Sequence, residues 1–98
     1  MGATAFFETA KGKTVEEAFD TAVKDAKEVY GTCGNTGTIA EKEEFIIISK
    51  TTKTLEAAKK MANRMINNQD ERIDGICGAC GCIPLDTGEW FFFGWAHC

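Results

Sequence analysis

The sequence predicts an α+β domain: a sheet of about four mainly antiparallel strands, with two amphipathic helices on one face, in the order β-α-β-α-β-β. Two stretches carry apolar residues at helical spacing, and each opens on a threonine. A run of isoleucines lies between them, and a pair of apolar stretches joined at a glycine closes the chain. With 98 residues, one hydrophobic core is all that the chain can build, so residues 1–98 are read as a single domain.

The elements follow in order. Residues Ala3–Ala10 are rich in strand formers and end at the turn signal Lys11-Gly12-Lys13. Thr14 and Glu17 stand three apart as in a capping box, where the hydroxyl takes an orphan amide of the first helical turn. Val15, Ala18, Phe19, Ala22, Val23, Ala26 and Val29 then form one apolar stripe, which Gly31 ends. Phe45-Ile-Ile-Ile48 reads as a central strand covered on both faces, because β-branched residues favour strands and nothing polar interrupts the run. A second helix starts near Thr54, with Leu55, Ala58, Met61, Ala62, Met65 and Ile66 on its stripe, and stops at Asn67–Asp70. Cys82–Leu85 and Glu89–Ala96 form a hairpin about Asp86-Thr87-Gly88.

The last strand has an aromatic row on each side: Phe91, Phe93 and Trp95 against Trp90 and Phe92. If both helices lie on one face, one row needs other cover. A homodimer, or a higher homo-oligomer, is the expected cover, and an open ligand surface is the rival use.

Composition limits the function classes. Apolar residues make up 44% of the chain and charged residues 27%, which argues against disorder. No apolar run exceeds four residues, far short of the ~20 that a membrane span needs. A net charge of −4 disfavours an extended nucleic-acid partner. The start Met1-Gly2-Ala3 has no export signal, so a soluble intracellular protein is expected.

Five cysteines occur, three of them in Cys77-Gly-Ala-Cys-Gly-Cys82. In a glycine-rich loop Cys77, Cys80 and Cys82 would converge, and Cys33, His97 or Cys98 would complete a zinc site. A second spaced pair is missing, so plain buried thiols are the expected state, with no cofactor, and zinc stays the alternative. The single histidine is next to last in the chain, and nothing in the spacing brings a cysteine to it. Glu16, Asp20 and Glu28 fall on the solvent side of the first helix. The chain is therefore read as no enzyme.

The segment 31–37 holds Gly31, Gly34 and Gly37, which let backbone amides approach an anion, and Asn35, Thr36 and Thr38 add side-chain donors. Lys42 and the Lys11/Lys13 turn would supply positive charge. The segment follows a helix and lacks Gly-Lys-Ser/Thr, so it is neither a P-loop nor a dinucleotide fingerprint. A connection that merely turns the chain is its other reading.

Thr36-Gly-Thr-Ile-Ala-Glu-Lys42, preceded by a Thr14-Val-Glu-Glu-Ala-Phe19 helix start and followed by Phe92-Phe-Gly-Trp-Ala96, resembles a family of small bacteriophage proteins of about this length. The likeness spans nearly the whole chain. Relatives carry histidine or glycine and an aromatic where this chain has Thr32, Cys33 and Asn35, and a Trp-Gly-Pro-Ala-Gly-like stretch in place of Cys77–Gly81. Those departures count against a shared metal site. The resemblance implies phage origin and brings no established reaction. It implies stoichiometric antagonism in the cytoplasm of the infected bacterial host: capture of a cyclic or NAD-derived nucleotide immune signal without turnover. In that role Gly34, Asn35, Thr36, Gly37 and Thr38 would hold phosphate and Lys42 would neutralise it. Trp90 or Trp95 would stack on the base, and Glu41 would accept from ribose hydroxyls or base amines. The alternatives are a protein–protein inhibitor of a host defence factor, a small zinc-stabilised domain, and a hydrolase acting on the same signals.

Overall fold

A computed structural model describes residues 3–30, 39, 44–70, 73 and 79–97, the side chains of residues 3, 30 and 97 excepted. The elements are β1 (Ala3–Lys11), α1 (Val15–Tyr30), β2 (Phe45–Ile47), α2 (Leu55–Asn67), β3 (Cys80–Pro84) and β4 (Glu89–His97). The expected β-α-β-α-β-β order holds, and the domain is α+β.

Local chemistry sets the ends of the helices. The Glu17 amide donates to Thr14 Oγ1 at 3.2 Å, and the Ala57 amide donates to Thr54 Oγ1 at 3.1 Å. Each threonine thus satisfies one of the free amides of a first turn. At the far end of α2, the Asp70 amide donates to the Met65 carbonyl and the Gln69 amide to the Ile66 carbonyl. That pair of bonds is a Schellman motif, and Gln69 takes its left-handed position at φ 52°. The β3–β4 hairpin turns through Asp86, Thr87 and Gly88, closed by Leu85 N–H to Glu89 at 2.9 Å. Gly88 sits at φ 90° with open space around it, so backbone conformation and not crowding calls for glycine.

The sheet order is β1-β4-β3-β2. β4 pairs antiparallel with β1 from Ala3↔His97 to Lys11↔Glu89, and antiparallel with β3 from Gly81↔Phe93 to Pro84↔Trp90. β2 pairs parallel with β3, so the sheet is mixed, with antiparallel pairing at two of its three seams.

Three expectations are corrected. The first is the placement of the helices: they lie on opposite faces. α1 packs through Ala18, Phe19, Ala22 and Ala26 onto Phe6, Ala10, Cys80, Cys82, Phe92 and Ala96. On the other face, α2 packs through Ala58, Ala62, Met65 and Ile66 onto Ile83, Leu85, Phe91 and Phe93. The topology explains this. The β1-α1-β2 connection crosses the sheet from one edge to the other, and β2-α2-β3 steps back. Two crossovers of the usual right hand that travel in opposite directions put their helices on opposite faces.

Second, Phe45–Ile47 is an edge strand and not a central one, with Ile46 37% and Ile47 49% exposed. Third, the cysteine-rich stretch is not all loop: Cys80 and Cys82 belong to β3 and point to the α1 face. The two-sided cover also answers the aromatic rows within one chain. Phe92 meets Phe19 at 5.6 Å and Phe45 at 6.3 Å under α1, while Phe91 and Phe93 stack at 6.0 Å under α2. No second copy is needed to bury them. The close fit shows at Gly81, where a Cβ would come within 2.6 Å of the Phe93 ring.

The helix end gives a direct test. A non-glycine residue in the left-handed region costs about 1 kcal/mol. Gln69→Gly should therefore stabilise the protein by up to about that amount, seen as a higher urea midpoint at unchanged slope.

Candidate functional site

A groove of about 440 Å3 opens between β1 and α2, lined by Phe7, Glu8, Thr9, Leu55, Lys59, Asn63 and Phe91. Its volume lies within the range of about 300–1,000 Å3 usual for small-molecule sites. Helical spacing builds one wall. Leu55, Lys59 and Asn63 recur every four residues, so they form a stripe beside the one that buries Ala58 and Ala62. Strand alternation builds the other wall. Phe7 and Thr9 share the α2 face of β1 with Ala5, while Phe6 and Ala10 turn to α1.

The groove has an aromatic floor and a polar rim. Phe91 is buried beneath Phe7, and the two rings stack at 6.1 Å with 22° between planes. Phe7 keeps 41% of its surface open, and Leu55 40%, although both are apolar. Lys59 and Asn63 are exposed along α2 and bring a cation and an amide to the same opening. A planar ring carrying an anionic group finds a stacking surface, a positive charge and an amide donor and acceptor there.

Glu8 lines the groove from β1 but faces Phe92 in the register, toward α1. Its carboxyl is held above the ordinary 4.5, first by partial burial and then by repulsion from Asp25 on α1. The folded state therefore binds a proton more tightly than the unfolded chain, and stability falls as pH rises through that window.

The tryptophans of the sequence reading are separated. Trp90 is half-buried against the α1-face core, and Trp95 is half-buried against the α2-face core. Five residues apart on one strand, they face opposite ways and sit near opposite ends of β4. No single ligand stacks on both. The Trp95 Nε1–H is buried and has no hydrogen-bond partner among the described residues. Gly34, Asn35, Thr36, Gly37, Thr38, Glu41 and Lys42 lie outside the described residues. Ile39, within that segment, is buried in the α1-face core.

Cys80 and Cys82 are buried. Burial, and after it the neighbouring Cys80, pushes the Cys82 thiol up to about 12, so it stays protonated at neutral pH. Cys77 lies outside the described residues, and among those described no three metal-ligating side chains cluster. Glu16, Asp20 and Glu28 are exposed, as expected of a solvated helix face. No helix among the described residues is long and apolar enough to cross a membrane. No family model, curated protein or solved structure matches the chain.

Phe7, Leu55, Lys59 and Asn63 are not legible in the sequence as a group, because no local signal pairs α2 with β1.

Two outcomes follow from these environments. Glu8→Gln should raise stability at about pH 7, and the gain should vanish near pH 3, where the carboxyl is protonated in both states; paired urea melts measure it. Iodoacetamide should leave Cys80 and Cys82 unlabelled in the native protein and label both after denaturation, read by peptide mass spectrometry.

Proposed function

We propose that the chain is a binding protein that holds a small anionic nucleotide without turning it over, a stoichiometric sink for a host immune signal in an infected bacterium. The observation that carries this reading is the half-open Phe7 ring seated on Phe91, with Lys59 and Asn63 beside it on α2. In this reading Phe7 takes the stacking role first given to Trp90 or Trp95. Lys59 neutralises phosphate, and Asn63 hydrogen-bonds the base edge. The phage resemblance supports the biological setting. Residues 34–42 offer a second placement for phosphate, with Lys42 as its cation.

Calorimetric titration with cyclic nucleotides and ADP-ribose isomers tests the reading. At least one should bind. Phe7→Ala should weaken binding by about 1–3 kcal/mol, the usual size of an aromatic–base stack. Lys59→Ala should weaken it further in low salt than in high salt. A loss confined to Lys42→Ala would move phosphate to residues 34–42. Heat from no ligand, together with one host protein co-purifying, would replace the reading with a protein–protein inhibitor.

A further inference from the structure

β1 is the outer strand of the sheet, nine residues long, and among the described residues nothing pairs with its free side. The opposite edge, β2, has only three residues. Long edges are usually blunted by proline, a bulge or inward charge. β1 has no proline, its register with β4 runs unbroken over its whole length, and Glu8 and Lys11 are its charged residues. Its middle residue is Phe7, the most exposed aromatic side chain among the described residues.

From this we infer that β1 is the seam of a homodimer, two copies of the strand pairing antiparallel about a two-fold axis at Phe7. An axis perpendicular to the sheet keeps like faces together. Residues whose numbers sum to 14 then oppose each other, so every residue from Ala3 to Lys11 finds a partner in the same strand of the second copy. Phe7 meets its own copy at the axis. Glu8 falls opposite Phe6 and not opposite another carboxylate. In the two other face-preserving registers near the centre, Glu8 meets either itself or Thr4, and fewer residues pair. The arrangement joins eight strands into one sheet, with both α2 helices on the same side.

The consequence deepens the nucleotide reading and rests on it. Each groove lies beside the seam, so pairing brings the two together across the axis. The joined cleft would hold two Lys59 ammonium groups and two Asn63 amides around a pair of Phe7 rings. Its symmetry matches a ligand with two bases and two phosphates, bound as one molecule per two chains.

Light scattering on the ligand-free chain tests the seam independently of any ligand. The expected mass is twice 10.7 kDa at micromolar concentration. Phe7→Lys, a change at a half-open site, should give a monomer with unchanged circular dichroism. A monomeric unsubstituted chain, or a dimer that survives Phe7→Lys, overturns the inference. If the lysine variant does not fold, Phe7→Cys replaces it. Opposed positions at the axis lie about 4.5–5.5 Å apart between Cα atoms, within disulfide reach. Mild oxidation should then yield a linked β1–β1 peptide on proteolysis, and its absence overturns the seam. A dimer with no calorimetric response to any nucleotide upholds the seam and removes the ligand reading. Binding by a persistent monomer does the reverse.

Discussion

β4 is the strand on which the rest of the domain depends. It is the last element made, yet it occupies an interior position in the sheet and pairs along its length with the first. Its side chains supply both cores: Phe92 and Ala96 to the α1 face, Phe91 and Phe93 to the α2 face. Burying a phenylalanine contributes about 1.5–3 kcal/mol, so this short stretch carries a large part of the hydrophobic drive on each side. Because Ala3 opposes His97, residues far apart in sequence must meet before the α1 face of the sheet is complete. Such non-local pairing is slow to form, since loop-closure entropy is lost before the contacts return it.

The same strand explains why the helices part company. Insertion of β4 between β1 and β3 spreads the parallel strands, so the first crossover spans the whole sheet and the second spans one seam. Reversal of direction then sends α2 to the face that α1 leaves bare. α2 packs on β4 and on Ile83 of β3, and the groove lies between α2 and the outer strand β1. The candidate site is thus a product of topology: a two-helix cover on a four-stranded sheet leaves one margin uncovered on the α2 face.

Local features were legible in the sequence, and pairing was not. Thr14 and Thr54 announced both helix starts, and Gly88 announced the hairpin, because each is fixed by residues within a few positions. Phe45-Ile-Ile-Ile48 is misleading because apolar content does not measure centrality. In the fold Phe45 and Ile48 face opposite cores, while Ile46 and Ile47 stay partly open at the margin. β4 held the stronger claim to the interior, having three fully buried phenylalanines in succession. The opposite facing of Trp90 and Trp95 is legible too, because their odd separation on a strand sends them to opposite faces. The sequence does not single out Phe7, because Ala3–Ala10 reads as an ordinary strand until its position at the edge is known.

Exposure of Phe7 is informative because its neighbours follow the rule it breaks. Phe6, the adjacent residue, is buried under α1, and on its own face Phe91 is buried and Ala5 half-buried. An apolar ring left half-open on a long edge that has neither proline nor bulge forgoes burial. Thr9, next on the same face, shows that the position accepts a polar residue. A ring kept there is accounted for by something that stacks on it or by a strand that pairs beside it. In the proposed dimer the seam would cover the edge and border the cleft.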